Sequence, residues 1–242
     1  QAESTSDLDA SIALLEGLVE SHPQMVDARL ELSVRRAWRG DLSAALHDTD
    51  QIIARWPKHA TALNNGAILA IELDQLDSAL TKAQTLTELN PQDVRGYRLQ
   101  AQIFVARQEP SEVQIISGAG LKVAPEDPYL LYIHARSLTL QDRHLESIAF
   151  FEQAQRAGSK AKDIPVQIAH AYEQAGMTDA SVQAYARAVK EDPEDMKARA
   201  MGGRLLASLD RCEEARAILA PLVPHKERLD SELQTIMTHC GL

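Results

Sequence analysis

One pair of side chains has the residue types and spacing of an acid–base couple. His170 precedes Glu173 by three residues, which would place both on one face of a helix, where an imidazole can exchange protons beside a carboxylate. The other histidines are scattered, and the sequence contains no HExxH, GxGxxG, P-loop or CxxC motif. Because solvated His–Glu pairs are common on helices, the sequence predicts a non-catalytic protein without a metal or cofactor site.

A second group of side chains offers recognition chemistry. Guanidinium groups bind carboxylates through paired hydrogen bonds, amides bind peptide main chains, and tyrosine rings give flat contact area. These groups suit an extended peptide that carries carboxylates. The alternative is that the arginines are merely solvated or pair with neighbouring carboxylates of the same chain. The candidate partner-binding residues are Asn64, Asn65, Ile68, Arg95, Arg98, Gln102, Tyr129, Tyr132 and Arg136.

Composition limits the partners and the fold class. The net charge of −10 argues against attraction to nucleic acid or an anionic membrane surface, and no apolar run of about 18 residues predicts a membrane-spanning helix. Hydrophobic residues make up 45% of the 242 residues but aromatics only 4%, which is typical of helices packed closely through alanine and leucine. The sequence therefore predicts an all-α protein.

Proline recurs at a fixed spacing that organises the chain. Counting in steps of 34 residues reaches five prolines and one serine, Ser159. Proline cannot extend the helix before it, so a regular series of prolines predicts a regular series of helix ends. The prolines of this register are Pro23, Pro57, Pro91, Pro125 and Pro193.

The segment from Ile164 to Pro193 resembles one tetratricopeptide repeat (TPR), a helix-turn-helix unit of 34 residues. Its small, aromatic and turn positions hold Ala169, Tyr172, Gly176, Tyr185, Ala188 and Pro193. The resemblance implies a right-handed α-α superhelix, or TPR solenoid, of about six repeats. The expected parts are a disordered segment 1–6, a half-repeat helix 7–25, repeats at 26–59, 60–93, 94–127, 128–161, 162–195 and 196–226, and a capping helix 227–242.

The same resemblance assigns a surface to the recognition residues. In TPR arrays the first helix of each repeat lines a concave groove, so the nine candidate residues would face that groove. Trp38 would lie at its end, where packing is the simpler interpretation and partner contact the alternative.

The two cysteines are expected to meet. By the repeat register Cys212 begins the second helix of the last repeat and Cys240 ends the capping helix, and the two are equidistant from Lys226 in the turn. This predicts a disulfide that fastens the cap and an oxidising compartment such as the bacterial periplasm. The alternative is two free thiols in a cytoplasmic protein. The pair is too sparse for a zinc site.

The sequence as a whole indicates a bacterial-type, exported scaffold, periplasmic or associated with the outer membrane. It would recruit a peptide segment or protein partner in its groove within an assembly for secretion, pilus formation, exopolysaccharide export or cytochrome maturation. One alternative is a homo-oligomer that docks through Leu8, Ile12 and Leu15 on the half-repeat. Another is a regulatory TPR domain of a larger membrane protein or enzyme, since Gln1 is not an initiator methionine.

Overall fold

The computed structural model describes residues 5–242 as a succession of helices, with no β-strand in that range. The predicted disorder of residues 1–6 lies mostly outside the described residues, and the first helix begins at Thr5. The helices are α1 (Thr5–Ser21), α2 (Val26–Arg39), α3 (Leu42–Arg55), α4 (Ala60–Glu72), α5 (Leu76–Leu89), α6 (Val94–Ala106), α7 (Pro110–Val123), α8 (Pro128–Thr139), α9 (His144–Arg156), α10 (Ile164–Gln174), α11 (Thr178–Glu191), α12 (Met196–Ser208), α13 (Cys212–Leu219) and α14 (Ser231–His239). A 3-10 segment (Ala220–Arg228) precedes α14.

The chain divides into two compact bodies. The N-terminal body, Gln1–Pro125, holds α1 to α7, and the C-terminal body, Glu126–Leu242, holds α8 to α14. Within each body, consecutive helices pack against each other and are joined by short turns, which makes neighbouring helices antiparallel hairpins. The predicted all-α helix-turn-helix class is confirmed.

The turn inside each helix pair uses one residue with a left-handed backbone. These residues stand 34 apart along the chain and are Gly40, Asp74, Gln108, Asp142, Gly176 and Asp210, with φ between +56° and +91°. The residue after each one donates its N–H to a carbonyl five residues earlier, as Arg143 does to Leu138 at 3.0 Å. This is the Schellman motif, which satisfies the last carbonyls of the first helix and turns the chain into the second.

Each register proline restricts the backbone conformation of the residue before it, and that residue ends the helix. Trp56, Asn90, Ala124 and Asp192 end their helices in an extended conformation, with φ between −129° and −143°. A residue that precedes proline avoids the helical region, because the proline ring clashes with its backbone. The periodic prolines therefore end α1, α3, α5, α7 and α11, and each is followed by a short linker into the next helix.

Small side chains allow the helices to approach closely. Ala45, Ala67, Ala79 and Ala83 are fully buried in the core of the N-terminal body. A Cβ atom added to Gly96 on α6 would lie 2.2 Å from the Thr87 hydroxyl oxygen of α5, too close for any side chain. Packing of this kind is what a sequence rich in alanine and poor in aromatics predicts.

The half-repeat helix α1 is packed against its own chain. Leu8 and Ile12 are buried against Ala28 and Leu32 of α2, and Leu15 packs partly buried beside them. The hypothesis that Leu8, Ile12 and Leu15 form an exposed docking edge is therefore wrong, since those side chains already close the start of the N-terminal body.

An ion-pair network also fastens α1. The Arg36 guanidinium lies 2.7 Å from a Glu16 carboxylate oxygen on α1 and 2.6 Å from an oxygen of Asp48 on α3. Burial raises the pKa of Asp48, and the neighbouring Arg36 acts in the opposite direction. Each charge has a partner, so three helices are joined without leaving a buried carboxylate unpaired.

The C-terminal end differs from the predicted capping helix. Residues 220–228 form a 3-10 segment, because Pro221 and Pro224 lack the N–H groups that α-helical hydrogen bonds need. The α-helix α14 begins only at Ser231, where the side chain of Asp230 accepts a hydrogen bond from the Leu233 N–H at 2.9 Å. The cap is thus a 3-10 segment followed by a short helix.

Candidate partner-binding surface

An apolar pocket of about 170 Å³ lies between α2 and α4 in the N-terminal body. Both helices are the first of their helix pairs. The surface formed by the first helices of the pairs within one body is called here the first-helix face. The Trp38 side chain is 65% exposed and Ile68 is 44% exposed, so both apolar groups meet solvent at the pocket. The lining residues are Ser33, Val34, Ala37, Trp38, Asn65, Ile68 and Leu69.

Trp38 is held at the pocket by its neighbours on α2. The Arg35 guanidinium carbon lies 4.9 Å from the centre of the indole ring, and the Arg35 Nε donates to a Glu31 carboxylate oxygen at 2.7 Å. The ring is therefore orientated although most of its surface is exposed. Packing was the simpler expectation for Trp38, but most of its side chain is exposed to solvent.

Two neighbouring amides lie on α4, and one of them, Asn65, lines this pocket. The Asn64 Nδ2 donates to the Asn65 Oδ1 at 3.2 Å, and both side chains are half-buried. An amide has more donors and acceptors than one such bond uses, so the pair retains hydrogen-bonding capacity beside the apolar surface.

Arg95, at the start of α6, makes a contact within its own chain. Its Nε lies 3.0 Å from one carboxylate oxygen of Asp93 and 2.9 Å from the other. These hydrogen bonds hold the pKa of Asp93 below its usual value, while Asp93 also accepts the Arg95 backbone N–H as the cap of α6. For Arg95 the structure supports the alternative of an internal ion pair. Arg98 and Gln102 are exposed on later turns of the same helix.

Tyr132 and Arg136 come together on α8 in the C-terminal body. The Tyr132 hydroxyl donates to the Asp163 carboxylate, whose two oxygens both lie 3.0 Å away, and Gln167 Nε2 donates to one of them at 3.0 Å. Burial, then the Asp163 charge, raises the pKa of Tyr132. The Arg136 guanidinium carbon lies 5.8 Å from the Tyr132 ring centre, and Tyr129 is half-buried one turn before. Sequence reasoning missed Asp163 and Gln167, because Asp163 ends a linker that departs from the register and Gln167 lies in the first turn after it.

The acid–base candidates have a structural contact. A Glu173 carboxylate oxygen accepts a hydrogen bond from the Tyr185 hydroxyl at 2.9 Å and lies 3.8 Å from His170 Nδ1. Tyr185 is fully buried, and burial together with the Glu173 charge raises the pKa of its hydroxyl strongly. Glu173 therefore satisfies a buried donor, which gives its carboxylate a structural role.

The two cysteines lie at the C-terminal cap. A disulfide joins Cys212, the first residue of α13, to Cys240, which follows α14, and the sulfur atoms are 2.07 Å apart. Both residues pack with Leu219, Leu222 and Leu233 in a core cluster.

Two kinds of site are absent from the described chain. Within residues 5–242, no three His, Cys, Asp or Glu side chains are grouped as metal ligands would be. None of the helices there combines the length and apolar character needed to span a bilayer.

Comparison with known proteins agrees with the repeat register. The family model of the tetratricopeptide repeat matches residues 173–240, and no curated protein matches the chain. Pseudomonas aeruginosa PilF shares the fold with a TM-score of 0.68 and 13% identity over 88% of this chain and 97% of its own. A tetratricopeptide repeat protein from Parabacteroides merdae gives 0.64 and 16% over 97% of this chain and 93% of its own.

A third solved structure, YrrB, is described as a TPR protein with an unusual peptide-binding site. It matches with a TM-score of 0.65 and 11% identity, over 76% of this chain and 95% of its own. At these identities the likeness concerns the fold. The family model shows TPR sequence over residues 173–240, and the helix pairs and the shared structures show the TPR fold.

Proposed function

We propose that this TPR protein is a non-catalytic scaffold that holds a peptide segment of a partner on its first-helix face, within a multi-protein assembly. The observation that carries the proposal is the exposed Trp38 beside Ile68 at an apolar pocket. Burial of a large exposed aromatic side chain by a partner contributes favourably to the free energy of binding. Tryptophan is also enriched among the residues that dominate binding.

The pocket suggests what the partner contributes. Its volume and its Val34, Ile68 and Leu69 walls suit one bulky apolar side chain. The amides of Asn64 and Asn65 then provide donors and acceptors for the adjacent peptide main chain. YrrB provides a precedent for peptide binding on this fold.

Trp38 provides a direct test of peptide binding. The variant Trp56→Phe leaves Trp38 as the only tryptophan, so its emission reports on the pocket. Peptides selected from a random library on the full-length protein should shift this emission to shorter wavelength as the indole leaves water. Trp38→Ala should weaken the same peptides by roughly thirtyfold or more, the effect expected of a dominant contact residue.

A matched control separates the pocket from general surface apolarity. Ile115 on α7 is 66% exposed and lies outside the pocket, so Ile115→Ala removes exposed apolar area elsewhere in the same body. This variant should keep the affinity of the unmodified protein. Selected peptides that bind Trp38→Ala and unmodified protein equally well would place the binding surface elsewhere and refute the proposal.

We further propose that the protein works in an oxidising compartment, as an exported bacterial protein would. The pairing of its two cysteines supports this, because disulfides persist in such compartments and are rare in the cytoplasm.

A further inference from the structure

The linker between α9 and α10 differs from the other linkers between helix pairs. It spans seven residues, 157–163, whereas each linker that carries a register proline spans four. Ser159 occupies the proline position, so no extended residue ends α9. The chain instead leaves through Gly158 at φ +80°, and the Ser159 N–H donates to the Ala154 carbonyl at 2.9 Å. The next helix, α10, begins late and has only 11 residues.

A pocket of about 250 Å³ opens where these helix ends are shortened. It lies between α9, α10 and α11 in the C-terminal body. Five of its seven lining residues lie on α9 and α11, which are the second helices of their pairs, so it is called here the second-helix pocket. Its lining residues are Glu152, Gln155, Arg156, Pro165, Ile168, Arg187 and Glu191.

Cations collect around this pocket without close carboxylate partners. Arg156 and Arg187 line it, Lys160 and Lys162 lie on the linker, and Lys190 lies one turn after Arg187; all five are exposed. In the part of the chain that the structure describes, the nearest carboxylate oxygen to Arg156 is that of Glu152 at 3.9 Å, and none lies within 4.0 Å of the other four.

Two other surface arginines of this body are paired more tightly. Arg143 and Arg211 each contact a glutamate three residues later at 2.7 Å. In a protein with a net charge of −10, a group of surface cations of which only Arg156 has a carboxylate oxygen within 4.0 Å is the feature that an anionic partner would complement.

The pocket also contains Glu152 and Glu191, and these restrict the ligand. A bare phosphate would meet two carboxylates, whereas a peptide can present carboxylate side chains to the arginines and main-chain N–H groups to the glutamates. Pro165 provides an apolar wall for the peptide chain. We propose that this second-helix pocket binds an acidic peptide segment of a partner protein, independently of the first-helix face.

Charge reversal tests the proposal. The probe is a fluorescein-labelled peptide of alternating glutamate and alanine, and its anisotropy is measured with the full-length protein at fixed salt. Arg187→Glu should weaken probe binding about tenfold or more, the loss of one charge-assisted contact. Arg216→Glu on α13 changes net charge equally but lies outside the pocket, and it should weaken binding less than about twofold. Circular dichroism confirms folding, and Arg187→Gln serves if Arg187→Glu does not fold.

Each other outcome contradicts the proposal. Equal losses in the Arg187 and Arg216 variants would mean general electrostatic attraction, and no loss in the Arg187 variant would place the probe elsewhere. Displacement of the probe by inorganic phosphate at equal concentration would mean a simple anion site. A loss of probe binding in Trp38→Ala would mean that the acidic peptide uses the first-helix face instead.

Discussion

The Tyr185 hydroxyl depends on a single carboxylate for its hydrogen bond. Tyr185 is fully buried on α11, and Glu173 of α10 accepts a hydrogen bond from its hydroxyl at 2.9 Å, so the bond joins the two helices of one repeat. A buried donor without a partner costs about 1–3 kcal/mol, whereas removal of both partners costs little. If the tyrosine hydroxyl is removed, water can hydrate the exposed part of Glu173. If Glu173 is removed, the buried hydroxyl has no water to replace the lost hydrogen bond.

This asymmetry predicts unequal effects of two substitutions. Glu173→Ala should lower the free energy of unfolding by about 1–3 kcal/mol, because it leaves the Tyr185 hydroxyl unsatisfied, while Tyr185→Phe should cost only about 1 kcal/mol. The double variant should resemble Tyr185→Phe rather than the sum of both changes. Urea unfolding followed by circular dichroism measures all three. Additive losses would show that the two groups are not coupled.

At the scale of the helix pair, the turns repeat a geometry that their residues do not all favour. Gly40 and Gly176 adopt a left-handed backbone freely, and Asp tolerates it, but Gln108 does so at φ +59° with a full side chain. The left-handed conformation costs an L-residue about 1–2 kcal/mol. The Schellman hydrogen bonds around Gln108, such as Glu109 N–H to the Phe104 carbonyl at 3.0 Å, hold the residue there.

Gln108→Gly should therefore stabilise the protein by about 1 kcal/mol, since glycine removes the backbone strain. The matched control is Gln102→Gly, the same change at an exposed position inside α6, which should destabilise the protein by about 1 kcal/mol. Thermal and urea unfolding measure both. A loss of stability in Gln108→Gly equal to that in Gln102→Gly would show that the turn carries no strain.

These turns also show how far the sequence predicts the helix pairs. The proline register and the alanine positions predict the helix-turn-helix class, because proline acts through a fixed steric rule at each position. Only two of the six left-handed turn residues are glycines, so the other four, Asp74, Gln108, Asp142 and Asp210, are recognisable as turns mainly through the 34-residue spacing. Where Ser159 replaces proline, the register no longer gives the start of α10, and the contact of Asp163 with Tyr132 could not be predicted.

The candidate site was predictable to a different extent at each residue. Register assigns Ile68 to a first helix, but the exposure of Trp38 depends on what packs across α2 and α4, which spacing alone does not specify. Likewise, the sequence left open whether Arg95 is available to a partner, and its hydrogen bonds to Asp93 depend on rotamers of two adjacent turns. Whether two nearby charged residues form an ion pair depends on their side-chain conformations, which the residue types alone do not specify.

At the scale of the whole molecule, both ends of the described chain are closed by packing. Ile12 of α1 is buried at the start, and Met237 of α14 is buried at the end. In repeat proteins each unit is stabilised chiefly by its neighbours, so a terminal unit with one neighbour is the first to open. The C-terminal cap is also built from the short α13 and a 3-10 segment with two prolines, which have weaker internal hydrogen bonding than long α-helices.

The disulfide is expected to compensate for this weak end. Cys212 and Cys240 are 28 residues apart, and closing such a loop stabilises a fold by about 3–4 kcal/mol in the chain-entropy model. Cys212→Ala with Cys240→Ala should therefore speed hydrogen exchange in α13 and α14 while leaving exchange in α4 and α5 unchanged. Dithiothreitol should reproduce the effect in the unmodified protein and have none in the double variant. Protein that is isolated from its native compartment and denatured without reductant should contain no free thiol. Two free thiols would contradict both the stabilising role of the disulfide and the proposed export, because reduced cysteines do not restrain the cap.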